Sequence, residues 1–185
     1  METPDTSHED QARLRPSAAW IAAGAVALLV VGLLGYAVAG DPQGSLQVGS
    51  PVPDLRLTAL DGTPLDLSAQ RGKVVAINFF ASWCDPCRQE APDLEQVWRD
   101  YQDQGVQFYG IAYRDASSKA QSFLDEFQVT YPAGTDRGSR TARAYGVTGV
   151  PETFIVDEQG RLLRHILGPI TEAELSQELD RALGQ

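Results

Sequence analysis

Basic residues, cysteine and histidine are all scarce in this chain, and each scarcity closes a class of function. Fifteen Lys and Arg stand against 25 Asp and Glu among 185 residues, a formal net charge of -10. No Lys/Arg-rich run is present, which argues against nucleic-acid binding, because that needs a basic surface to displace counterions from phosphates. The two cysteines, Cys84 and Cys87, are too few and too close for the multi-bridge framework that staples small secreted domains. The two histidines are His8 in the N-terminal tail and His165 in a predicted strand, so a four-ligand zinc site has no ready partners for the cysteine pair. No metal and no cofactor are expected, and no internal repeat is seen. Acidity itself indicates only solubility. The length and the 43% hydrophobic content allow one compact domain with a core, plus something outside it.

Charge is missing altogether from residues 18–40, AAWIAAGAVALLVVGLLGYAVAG. About twenty apolar residues at ~1.5 Å rise cross a ~30 Å hydrocarbon core, so the segment is expected to be a transmembrane helix. Trp20 and Tyr36 stand near its ends, Arg13 and Arg15 flank its N-terminal side and Asp41 the other. The positive-inside bias then places the N-terminus in the cytoplasm and the bulk of the chain in the periplasm or on the outer surface. A cleaved signal peptide is the competing reading, since Ala37-Val38-Ala39 resembles a cleavage site. The apolar stretch, however, exceeds the ~7 to 15 residues of a typical signal core. A buried core helix is disfavoured by the uninterrupted length. The expected organisation is a cytoplasmic tail (1–17), an anchor (18–40), a flexible linker (41–50) and a folded domain (51–185).

Within that domain, residues 55–60 and 64–67 flank Asp61-Gly62 and read as a hairpin. Residues 73–80, KVVAINFF, form a continuous apolar, β-branched and aromatic run, the pattern of a central strand buried on both faces. After Cys84, apolar residues recur at Ala91, Leu94, Val97, Trp98 and Tyr101 with helical spacing, and Pro92 is expected to bend that helix. A strand over 106–113, a helix over 116–127, an extended piece at 131–133 and a helix over 138–145 follow. Residues 153–157 and 161–167 read as a second hairpin, and Thr171 to Glu174 as a capping box opening the last helix. Alternating strands and helices closed by a hairpin predict an α/β fold, a central mixed sheet with helices on both faces.

Cys84-Asp85-Pro86-Cys87 follows the buried strand and opens a helix, so the first sulfur should meet unpaired backbone N–H groups and the positive end of the helix dipole. In such settings a cysteine pKa falls from about 8.5 into the range of ~3.5 to 7.5, which makes Cys84 the expected nucleophile. Cys87, one turn deeper, can resolve the mixed disulfide that Cys84 forms. Pro86 suits the first helical turn, where its missing N–H costs nothing. Asp85, a carboxylate beside a thiolate, should raise the Cys84 pKa and favour a reductant, weakened by exposure to water. Haem attachment would want His after the second cysteine, and residue 88 is Arg. A purely structural disulfide across so short a loop would stabilise little.

The run Phe79-Phe80-Ala81-Ser82-Trp83-Cys84-Asp85-Pro86-Cys87, with Pro92 in the helix and Gly149-Val150-Pro151 further on, resembles a thioredoxin-fold oxidoreductase. The match spans residues 52–183. Tyr113-Arg114-Asp115 and Gly146-Val147-Thr148-Gly149-Val150-Pro151-Glu152-Thr153-Phe154 narrow the resemblance to thiol:disulfide interchange proteins of the DsbE, CcmG or TlpA-like type, membrane-anchored reductants of cytochrome c maturation. That resemblance implies a cis Pro151 packed against the disulfide, with the backbone of Val150 offered to a partner peptide as an added strand. It also implies an acidic residue near the cysteine pair, here Glu90, which could carry protons for Cys87 from one turn away; a solvated helix glutamate is the other reading. Glu152 would line an acidic groove that selects the partner, or merely face water at a strand start. Asn78 stands where thioredoxin has a buried strand aspartate, which leaves the proton to Glu90 or water. Trp83 is expected to pack over the site, and His165 to be an ordinary strand residue.

The implied activity is reduction of apocytochrome c or its thiol chaperone, with recharging by a membrane electron carrier of the DsbD or CcdA type. The rivals are a broader extracytoplasmic thioredoxin-like reductase serving other assembly pathways, a thiol peroxidase and a non-enzymatic binding module. The peroxidase would want Thr or Ser three residues before the reactive cysteine, where Ala81 stands.

Overall fold

A computed structural model describes Leu28, Leu29 and residues 46–184. The expected tail, almost all of the expected anchor and most of the linker lie outside the described residues. No helix among the described residues is long and apolar enough to cross a membrane.

Seven strands and four α-helices make up the described domain. A two-stranded sheet pairs β1 (Arg56–Thr58) with β2 (Pro64–Asp66) antiparallel, Leu57 opposite Leu65. A 3-10 turn, Leu67–Gln70, follows and is capped by Asp66, whose carboxylate accepts the Ser68 N–H. The main sheet holds β3 (Val74–Phe80), β4 (Val106–Ala112), β5 (Ala133–Thr135), β6 (Glu152–Val156) and β7 (Leu162–Leu167) in the order β5-β4-β3-β6-β7. β3, β4 and β5 run parallel, while β6 and β7 are antiparallel to their neighbours, which confirms the mixed sheet of a thioredoxin-like α/β fold. The helices are α1 (Asp85–Tyr101), α2 (Ser117–Glu126), α3 (Arg140–Tyr145) and α4 (Glu172–Leu183).

All seven residues of β3 are buried, as its unbroken apolar run requires of a strand covered on both sides. Its alternation sorts the core into two layers. Val75, Ile77 and Phe79 join Leu55, Leu65, Tyr145 and Phe154 under the N-terminal hairpin and α3. Val74 and Ala76 join Leu94, Val97, Leu175 and Leu179 under α1 and α4, and Phe80 meets Cys84, Cys87 and Phe123 under α1 and α2. Asn78, a polar residue in that row, therefore faces α1. The layered contacts fix where β3 ends, and its end is where the cysteines begin.

Two boundaries differ from expectation. The third helix begins at Arg140, because Ser139 takes a left-handed backbone at φ 52 that cannot continue a helix. The extended piece expected at 131–133 pairs as β5 from Ala133, after Pro132, which has no N–H to give a ladder. α1 runs through Pro92 without interruption.

Candidate active site

Three backbone segments converge on the sulfurs: the turn out of β3, the first turn of α1 and the loop entering β6. Cys84 is the N-cap of α1, and its Sγ accepts the Cys87 N–H at 3.1 Å, the bond a capping side chain makes to a helix's orphan donors. Asp85 and Pro86, both exposed, occupy the first turn as the sequence predicted. The structure joins Cys84 to Cys87 in a disulfide, with Cα atoms 5.3 Å apart. Both cysteines are buried, Cys84 at 4% exposure and Cys87 at 1%.

The Val150–Pro151 bond is cis. The Val150 carbonyl oxygen lies 3.5 Å from Cys84 Sγ, so the loop and the first sulfur are neighbours. The Pro151 carbonyl accepts the Gly168 N–H at 3.0 Å, tying the same loop to the end of β7.

Glu90 is not a solvated helix residue. It is 2% exposed, its Oε1 accepts the Asn78 amide N–H at 2.9 Å and its Oε2 accepts the Ile170 N–H at 3.0 Å. Burial raises its pKa from an ordinary 4.5 to about 7, and the two donors only partly oppose that rise. Asn78 spends its other N–H on Thr153 Oγ1 at 3.0 Å, so a neutral amide orients the acid.

Glu152 is buried and does not face water. It is 2% exposed, and its Oε1 accepts from Thr148 N at 2.9 Å, Thr148 Oγ1 at 3.1 Å and Gly149 N at 3.0 Å. Its Oε2 meets His165 Nε2 at 2.8 Å. These four partners are the physical reason a carboxylate can sit inside, since buried charge is tolerated only when paired and hydrogen-bonded. His165 is accordingly more than a strand residue: its ring lies flat on Phe154, 4.1 Å between centroids at 14°.

Trp83 does not bury itself over the sulfurs. It is 59% exposed, and its indole N–H donates to the Arg114 carbonyl at 3.3 Å, which holds it on the rim. Beside it lies an open cleft of about 430 Å³ lined by Ser82, Trp83, Arg88, Asp115, Lys119 and Phe123 among others. Asp115 had no role in the sequence reading, yet its carboxylate accepts Ser82 N at 2.6 Å and Ala116 N at 2.9 Å and so anchors the turn ahead of Cys84 to the end of β4. Its place in the Tyr-Arg-Asp motif was the one available signal. His165 carried none, because its partner lies across a strand pair.

A Cys-x-x-Cys disulfide capping a helix at the end of a parallel strand, faced by a cis proline, defines a thioredoxin-fold thiol:disulfide oxidoreductase. A model of the Redoxin family matches residues 47–183, and the chain belongs to that family. The chain is 32% identical over 158 residues to the thiol-disulfide oxidoreductase ResA of Geobacillus thermodenitrificans, covering 84% of this chain and 91% of that protein. It is 38% identical over 138 residues to the thiol:disulfide interchange protein HelX of Rhodobacter capsulatus, covering 73% and 76%. A crystal structure from Chlorobium tepidum, provisionally assigned as the thiol:disulfide interchange protein DsbE, superposes with a TM-score of 0.71 at 33% identity, covering 76% of this chain and all of that one. Within its family the chain is thus a thiol-disulfide oxidoreductase of the ResA, HelX and DsbE/CcmG type.

Proposed function

We propose that this oxidoreductase is a membrane-tethered reductant on the outer side of the membrane, whose partners are the Cys-x-x-Cys-His segment of apocytochrome c or its thiol chaperone. The observation that best supports the chemistry is the buried acid Glu90 set one turn behind Cys87, with a pKa near 7. The substrate class rests on the DsbE/CcmG likeness, and the tether on the apolar segment 18–40.

In the dithiol form, Cys84 as thiolate keeps the Cys87 N–H and the helix dipole as its stabilisers and attacks one sulfur of the partner's disulfide. The new bond joins Cys84 to the partner while the partner's second sulfur leaves with the electron pair. A partner chain lying in extended form beside Val150 would be held by main-chain pairing during that exchange. Cys87 then loses its proton, which Glu90 accepts, and attacks Cys84 Sγ; the partner's remaining thiolate departs and the Cys84–Cys87 disulfide closes. Two electrons have passed to the partner. A dithiol carrier in the membrane, of the DsbD or CcdA type, reverses the pair by the same exchange.

The direction of flow is tested by the equilibrium reduction potential of the full chain against dithiothreitol or glutathione, with Cys84→Ala as control. A value near or below about -270 mV, absent in the control, supports a reductant; one near about -120 mV makes the protein an oxidant of exported thiols and sinks the proposal.

A further inference from the structure

We infer that His165 is a positioning residue for the partner-binding loop and that it acts through Glu152. This rests on the reading of Val150 as the place where a partner chain pairs.

The three donors bound by Glu152 Oε1 all belong to Thr148 and Gly149, the two residues immediately ahead of Val150. The Thr148 and Gly149 N–H groups go to that carboxylate and not to a strand carbonyl, and Pro151 has no N–H to give. The stretch just ahead of Val150 is therefore held by one side chain of β6, while the Gly168 N–H holds the Pro151 carbonyl on its far side. That side chain depends in turn on β7, since His165 Nε2 is the partner of Oε2. The imidazole is itself fixed: it stacks on Phe154, which is fully buried and meets Phe79 and Tyr145 edge-on at centroid distances of 5.6 and 5.3 Å. A rigid line thus runs from the aromatic core through imidazole and carboxylate to the loop whose carbonyl lies 3.5 Å from Cys84 Sγ.

Removing the imidazole nitrogen leaves a buried carboxylate oxygen without a partner, a penalty the group escapes by turning toward water. Turning releases Thr148 and Gly149, and the loop loses its register against the sulfur. Main-chain pairing with an extended polypeptide needs that register, and displacements of about 1 Å can cost on the order of a hundredfold in rate. A small disulfide without flanking chain needs only an accessible sulfur. His165 should therefore govern reactivity toward polypeptide disulfides and leave small disulfides alone.

The test compares rate constants of the reduced full-length protein with an oxidised Cys-x-x-Cys-His peptide and with bis(hydroxyethyl) disulfide. His165→Phe keeps a ring on Phe154 without the nitrogen, and His165→Asn keeps a polar side chain too short to reach Oε2. Both are expected to lower the peptide rate by about tenfold or more, with the small-disulfide rate and the reduction potential unchanged. His165→Gln, whose amide can reach Oε2, should restore the peptide rate. Equal effects on the two substrates in the Phe and Asn variants, whether both rates hold or both fall, overturn the inference. A wild type that shows no preference for the peptide would instead overturn the underlying reading of Val150, and the role of His165 with it.

Discussion

At the residue scale the telling group is Glu90, a carboxyl at 2% exposure whose charged form is disfavoured chiefly by burial. Its pKa of about 7 lies above that of the same group in an unfolded chain, so between roughly 4.5 and 7 the folded protein holds the extra proton. The sign follows from linkage. Its contribution to stability is fully present below the unfolded value and is lost as pH rises toward the folded one, by up to roughly 3 kcal/mol. Glu90→Gln cannot ionise, so denaturant midpoints of wild type and variant, taken in the disulfide form from pH 4 to 8, should diverge as pH rises, the wild type falling relative to the variant. A parallel pair of curves would refute the raised pKa. Cys84, Cys87 and Pro86 were legible because their spacing and their place between strand and helix carry the chemistry, whereas the cis Pro151 was implied only by the family resemblance. The burial of Glu90 and Glu152 was not. It depends on Ile170 and His165, donors contributed by elements far along the chain, and a glutamate on a helix or at a strand start looks the same in sequence whether or not such donors reach it.

At the scale of elements, the buried central strand β3 was legible from its apolar run, and α4 from its capping box, which forms with Thr171 Oγ1 accepting Glu174 N and Glu174 Oε2 accepting Thr171 N. The seat of the N-terminal hairpin was not legible, because it is a contact of backbones. Leu60 N–H donates to the Ala133 carbonyl at 2.8 Å, and Ala59 bridges Gly134, so the end of the hairpin lies directly on β5. A Cβ on Gly134 would stand 2.7 Å from the Thr58 carbonyl oxygen and 3.3 Å from Ala59 Cα, both backbone atoms that cannot swing away. Gly134→Ala is therefore expected to cost about 1–3 kcal/mol and to lift the hairpin from the sheet edge. Denaturant unfolding gives the loss, and hydrogen exchange locates it: the Leu60 amide should lose protection while amides of β3 and β6 keep theirs. Uniform loss across the sheet, or none, would contradict this seating.

At the scale of the whole molecule, the chemistry and the apolar segment make one argument. An exchange reaction between dithiols is bimolecular, and tethering both partners to one membrane raises their effective concentration without adding any contact between them. A reductant is also useful only where disulfides persist, which is outside the cytoplasm. Both considerations favour retention of residues 18–40 over cleavage after Ala39, and arginines at positions 13 and 15 favour a cytoplasmic N-terminus. Full-length protein carrying a C-terminal epitope is thus expected to stay in the pellet after an alkaline carbonate wash. In intact cells treated with a reductant, a membrane-impermeant maleimide should label it at Cys84, and protease added from outside the inner membrane should remove the epitope. A shorter, soluble product would show that the segment is a cleaved signal. Labelling seen only after permeabilisation would turn the domain inward, where a dedicated reductant of exported disulfides has no substrate.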